Sequence, residues 1–209
     1  MPKQPPFLGS NNWAVSGSKT LSGNPILCGD PHLNIHLPSI WYEMQLSTPK
    51  QNAYGVTLPG IPSIIIGFNE NIAWTQTNVG RDILDWYDIK WKDEKRLEYS
   101  YNGGYRKAKL VIEEYKIRNG ESVFDTIRYT HHGPVVFDDR THAKGGKALR
   151  WLAHDAPKGD ELGVFTKLAK SRNYSDFVAA IKDYQCPAQN YVLQVKMAIL
   201  VCGVKVFIL

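Results

Sequence analysis

The chain has 209 residues, 43% of them hydrophobic, which is enough to bury a sizeable core in one domain. Eleven Tyr, six Trp and seven Phe against 22% charged residues exclude a disordered chain. The net charge of +5 comes from scattered Lys and Arg, and a nucleic-acid interface would need them gathered into a basic stripe.

Residues 1–9 are proline-rich and read as an extended lead-in; they offer no apolar run of the kind an export leader carries. Residues 12–28 read as a hairpin, with 13–15 and 25–28 flanking a Gly/Ser/Asn-rich connection. Residues 40–46, 53–58, 63–68 and 72–77 are expected strands, separated by Pro59-Gly60 and Asn69-Glu70-Asn71 turns. Within them Ile64-Ile65-Ile66 is a continuous β-branched run, the pattern of a strand buried on both faces. From 83 to 136 the pattern is a meander, with strands at 84–89, 97–101, 109–118, 122–130 and 134–137. Asn102-Gly103-Gly104 and Asn119-Gly120 make its hairpin turns, and 147–152 is one more short strand.

One helix is expected, near 173–185. Asn173 can cap it, Asp176 approximates the partner of a capping box, and Tyr174, Phe177, Ile181 and Tyr184 form an apolar face. Cys186-Pro187 ends it. Cys28, Cys186 and Cys202 are odd in number and lack Cys-x-x-Cys spacing, so they give neither a disulfide framework nor a zinc site. The apolar end, 192–209, contains two lysines and falls short of a membrane span. No membrane partner is expected.

Several short motifs stand out along this order. They are Gly9-Ser10-Asn11-Asn12-Trp13-Ala14-Val15, Gly29-Asp30-Pro31-His32, Pro59-Gly60-Ile61-Pro62, Gly67-Phe68-Asn69-Glu70-Asn71-Ile72-Ala73-Trp74 and Pro187-Ala188-Gln189-Asn190. Gly9-Ser10 alone would be a turn. The collinear series, from Gly9 to Val192, resembles the penicillin acylase family of N-terminal-nucleophile hydrolases at the start of the catalytic β-chain. The resemblance implies an α+β fold, with this chain supplying part of a four-layer αββα sandwich of mostly antiparallel strands. It implies residues 1–9 as linker before a cleavage site and 10–192 as the front of the β-chain. The rest of that enzyme, an α-chain and the remaining β-chain, would be its partners, and its parent would be exported.

A serine hydroxyl needs a base within reach, and the resemblance makes Ser10 the nucleophile with its own α-amine as that base. A free amine with a reference pKa of about 7.7–8.0 keeps a useful neutral fraction at neutral pH. That amine appears only if the Gly9–Ser10 bond is cut, by Ser10 Oγ attacking the Gly9 carbonyl. A glycine there leaves no Cβ to crowd the attack. The resemblance places His32 beside the serine, orienting it or shuttling a proton, whereas a histidine in a proline turn is otherwise a surface group. His32, His36 and Asp30 could suggest a metal, but Pro31 and Pro38 oppose the helix that would put the two histidines on one face.

The resemblance further makes the Asn190 side chain and the Asn78 backbone N–H the oxyanion donors; unaided, Asn190 reads as a buried structural amide. It makes Leu33 and Ile66 substrate-pocket residues, both aliphatic. Asp82 and Asp85 match calcium-binding positions, yet calcium takes six to eight oxygens, so they are at most part of a structural site or else strand-edge carboxylates. The chemistry calls for no cofactor. The expected substrate is a small-molecule linear amide, with β-lactam side-chain amides and acyl-homoserine lactones both open. The rival expectation is a catalytically inactive remnant or a β-rich binding module.

The tail departs from this pattern. Residues 193–209 can be back-translated so that one restored T yields Phe-Ala-Gly-Lys-Asp-Gly-Asn-Ile-Gly and onward, the continuation seen in the family. A single-base deletion near codon 193 would make 193–209 an out-of-frame tail; the alternative is a genuine apolar strand.

Overall fold

The computed structural model describes residues 9–80, 82–137, 146–155, 159–195 and 198–205. The chain divides into two compact units, residues 1–81 with 157–208, and residues 82–156. The first unit opens with β1 (Gly9–Val15), β2 (Ile26–His32), β3 (Tyr42–Thr48), β4 (Gln51–Thr57), β5 (Ile66–Asn69) and β6 (Ile72–Asn78). The second holds β7 (Leu84–Asp88), β8 (Glu98–Tyr101), β9 (Gly104–Lys107), β10 (Lys109–Tyr115), β11 (Val123–Tyr129), β12 (Val135–Val136) and β13 (Lys147–Trp151). The chain then returns to the first unit with α1 (Glu161–Lys170), α2 (Tyr174–Ile181), β14 (Gln189–Val195) and β15 (Ala198–Lys205).

In the first unit, six antiparallel strands form one sheet in the order β15-β14-β6-β5-β4-β3. Side chains alternate across each strand, and both faces are used. One face carries α1 and α2, burying Ile72, Trp74, Tyr191 and Leu193 against Val164, Leu168, Phe177 and Ile181. Trp74 is fully buried and satisfies its indole by donating Nε1–H to the Ile65 carbonyl at 2.9 Å. Such a ring cannot be buried cheaply without a partner for its N–H. The β1–β2 hairpin lies over the other face, across β6 and β14. Its approach is close: a Cβ on Gly29 would stand 2.1 Å from Thr75 Oγ1, so only glycine fits.

Asn69 ties the layers together. Its Oδ1 accepts from Asn71 N (2.8 Å) and Ile72 N (2.9 Å), which shapes the β5–β6 turn. Its Nδ2 donates to the Ala169 and Ser171 carbonyls, at 3.1 and 2.8 Å, where α1 ends.

The expectation of a single helix is corrected: there are two. α1 has the signals of a helix, an Asp160 cap accepting from Gly163 N at 2.8 Å and buried residues at 164, 165, 168 and 169. Gly163 in its first turn and β-branched Thr166 lower its local propensity, and packing on the sheet decides the outcome. The second helix is capped as expected, with Asn173 Oδ1 accepting from Asp176 N at 2.9 Å. It ends at Ile181, short of 185. Its buried stripe is Phe177, Ala180 and Ile181, continued by Tyr184, while Tyr174 stays exposed. Ile64 and Ile65 are buried, but they precede β5 as irregular chain and are not strand.

In the second unit the hairpins fall on the expected turns. Asn102 (φ 48°) and Gly103 (φ 78°) connect β8 to β9, and Asn119 (φ 61°) lies between β10 and β11. A three-stranded sheet, β12-β13-β7, completes it. Buried Tyr99 anchors the loop ahead of β12 by accepting from His131 N at 3.0 Å. Residues 1–8 and 206–209 lie outside the described residues. In the tail, 198–205 pairs with β14 as β15, which a β-prone apolar segment does whatever its origin.

Candidate active site

β1 alternates: Gly9, Asn11 and Trp13 are exposed, whereas Ser10, Asn12 and Ala14 are half-buried. Ser10 therefore points inward. It lines a pocket of about 330 Å³ together with Asn78, at the end of β6, and Gln189, at the start of β14. The polar edge of this pocket is held by a bond between opposed residues, Gln189 Nε2 donating to Asn78 Oδ1 at 2.8 Å. The rest of the wall is mainly apolar. Leu33 and Ile66 belong to it, as do Trp41, Ile65 and Phe165.

Ser10 Oγ donates to the Gly9 carbonyl oxygen at 2.6 Å, so the hydroxyl sits against the carbonyl of the peptide bond that precedes it. His32 is the cross-strand partner of Gly9. Its Nδ1 is 3.8 Å from where a Cβ on Gly9 would stand, and its Nε2 is 2.7 Å from Asp30 Oδ2. A neutral ring that gives its Nε2–H to Asp30 keeps Nδ1 as an acceptor on the Gly9 side. Two strands in register thus bring the serine, its preceding carbonyl and an oriented imidazole to one end of the hairpin.

Asn190 lies on β14 opposite Thr77, on the face over which β1 runs. Its Nδ2 donates to Thr77 Oγ1 at 3.2 Å and the residue is not part of the pocket wall. An amide nitrogen has two hydrogens, so this bond occupies one. Asp82 and Asp85 lie in the second unit, both exposed. Asp85 is opposite Arg150 across β7 and β13. Among the described residues no three His, Cys, Asp or Glu come together. Two exposed carboxylates do not make the coordination shell calcium needs.

Sequence reasoning missed Glu161, Leu162 and Phe165, because it missed α1, and also Tyr184 and Cys186 as pocket wall. Burial raises the Tyr184 hydroxyl and the Cys186 thiol, and the Glu161 carboxylate adds to both. The spacing of Val164, Phe165, Leu168 and Ala169 behind an acidic cap was the available signal.

Two packed antiparallel layers, helices on the outer face of one and an inward serine at the sheet ends define an α+β sandwich with a serine-lined pocket. The chain belongs to the penicillin amidase family, whose sequence model matches residues 1–195. It is 29% identical over 187 residues to the acyl-homoserine lactone acylase QuiP of Pseudomonas fluorescens, covering 88% of this chain and 23% of that protein. It is 31% identical over 133 residues to the penicillin acylase 2 proenzyme of a Pseudomonas species, covering 63% and 17%. The thermostable penicillin G acylase of Alcaligenes faecalis shares the fold, with a TM-score of 0.75, 23% identity and coverage of 88% of this chain and 33% of that one. The chain spans about a quarter or less of the length of these curated relatives.

Proposed function

We propose that this chain carries the nucleophile of an amide hydrolase that prepares its own catalytic base. The observation that carries the proposal is Ser10 Oγ resting 2.6 Å from the Gly9 carbonyl oxygen at the edge of an apolar pocket. In the first phase Ser10 Oγ attacks the Gly9 carbonyl carbon, and the peptide nitrogen leaves as the Ser10 α-amine. Water then hydrolyses the resulting ester. His32 Nδ1, oriented by Asp30, accepts the hydroxyl proton and passes it to the departing peptide nitrogen, which leaves as the neutral α-amine.

In the second phase the α-amine takes the Oγ proton while Oγ attacks a substrate amide. It returns the proton to the leaving amine, and water deacylates the enzyme by the reverse relay. Asn190 Nδ2, with the hydrogen not given to Thr77, and the Asn78 backbone N–H stabilise the oxyanion. Each such donor contributes about 3–4 kcal/mol in the transition state. In this second phase every proton moves among Ser10 Oγ, its α-amine, the leaving amine and water, so the cycle calls for no cofactor.

The pocket suits an apolar acyl group. Its relatives are named for acyl-homoserine lactones and penicillins, and the same acyl–amide logic extends to this chain. Remaining segments of a longer enzyme cover the exposed apolar side chains Leu21, Ile35 and Leu37.

The test is the intact mass of the expressed chain. Loss of residues 1–9 is expected, and Ser10→Ala is expected to retain them. A full-length mass in both overturns self-cleavage by this chain. The exposed apolar residues also favour a second reading, a β-rich module that binds without turnover. Amide release above the Ser10→Ala background excludes it.

A further inference from the structure

We propose that Glu161 sets the charge selectivity of the Ser10 pocket, admitting acyl groups that are neutral or end in an ammonium and turning away those that end in a carboxylate. The inference rests on the pocket being the acyl site.

Glu161 is the one formally charged residue among the described residues that line the cavity. It occupies the first turn of α1, half-buried, directly after the Asp160 cap. α1 is fixed by buried Val164, Phe165 and Leu168, so the carboxylate stands on a rigid element. No cation among the described residues neutralises it: the nearest candidate on its helix, Lys167, is bound to Asp183 at 2.5 Å.

The field of Glu161 reaches the wall. Burial raises the Cys186 thiol and Glu161 raises it further. Tyr184, raised first by burial and next by Cys186, also feels Glu161. Cys186 and Tyr184 line the same cavity. A second carboxylate brought among these groups would leave water and meet a like charge at once. In a wall of moderate effective dielectric, a unit charge several ångströms away changes a rate or affinity about tenfold or more. An ammonium gains what a carboxylate loses.

Cys186 supplies an internal probe that needs no turnover. The expressed chain, as purified, is treated with methanethiosulfonates bearing a neutral methyl, a trimethylammonioethyl or a sulfonatoethyl group. Rates at Cys186 are read by peptide mass spectrometry and normalised to Cys28 on the hairpin. The cation-to-anion rate ratio is expected to be about tenfold higher at Cys186 than at Cys28. It should fall to about that of Cys28 in Glu161→Gln and persist in Glu161→Asp. A ratio unchanged by Glu161→Gln, with the variant folded by circular dichroism, overturns the proposal.

A second arm separates this proposal from the acyl-site reading. Hexanamide and 6-aminohexanamide are expected to slow modification of Cys186, and the monoamide of adipic acid to do so only in Glu161→Gln. Equal protection by all three in the unaltered chain overturns the selectivity and leaves the acyl site standing. Protection by none, with the charge ratio intact, overturns the acyl site and with it the selectivity, while the field of Glu161 remains.

Discussion

The Ser10 hydroxyl and the Gly9 carbonyl show how little a single side chain can do without its register. Gly9-Ser10, His32 and Asn190 stand in short sequence motifs, whereas Leu33 and Ile66 follow only from the resemblance that those motifs carry. What no spacing rule supplied was the pairing of Gly9 with His32, which sets the ring beside Gly9, or the bond from Asn190 to Thr77. Both arise from strands separated by many residues. Asn190→Ala is expected to lower kcat about a hundredfold or more with little change in KM, measured on the self-processed enzyme. Equal loss in both would mean that the amide only holds the strand.

The second unit carries a titrating pair at the same scale. The His132 ring stacks on Tyr87 at 3.7 Å and lies 3.8 Å from that of His131, whose Nδ1 meets Tyr99 Oη at 3.1 Å. Both histidines are lowered from the ordinary 6.5, His131 by burial and then Arg106, His132 by burial, then His131 and Arg150. Arg150 itself is held by Asp155. The unfolded chain therefore binds more protons just below pH 6.5. The contribution is fully present above that value and is lost as pH falls through the folded pKa values. Thermal melting followed from pH 7.5 down to about 5 should show a falling midpoint, and His132→Phe should flatten the slope.

At the scale of elements, the strands were legible because turn chemistry brackets them; Asn102-Gly103 is the plainest case. α1 was not, since Gly163 and Thr166 dilute its propensity and its stability comes from the sheet it covers. The Ile64-Ile65 segment has the sequence pattern of a buried strand, because burial and strand share one pattern, yet its chain is irregular. Trp74 is the centre of this layer, and Trp74→Ala should cost about 3–5 kcal/mol in chemical denaturation. Asn69→Ala should be smaller, yet it should loosen the β5–β6 turn and the end of α1 together, visible as joint loss of amide protection. Loss at one site alone would show that the two bonds of Asn69 Nδ2 do not couple them.

For the whole molecule, composition and motif order foretold an antiparallel α+β framework, and the two layers with their helical cover agree with it. Division into two compact units was not legible, because the chain leaves the first unit after β6 and returns at α1 without a linker of distinctive composition. We also propose that residues 193–209 are out-of-frame translation. The family match ends at residue 195, and resequencing the source gene at codon 193 decides the matter. A reading frame that is intact there makes β15 a native strand.

Gly29 gives the hairpin an adjustable seat. It pairs with Asn12, two positions from Ser10, and bears on Thr75 with no room for a methyl group. A wedge at that point tilts the strand that carries Ser10, the proposed nucleophile. Gly29→Ala should therefore yield a folded but slow enzyme, since a displacement of about 1 Å can cost about a hundredfold, and Thr75→Gly in the same chain should restore the rate. Catalysis would then tolerate change in the acyl pocket far better than in this remote contact, and the thickness of one hydrogen atom beneath the hairpin would set the precision of the serine above it.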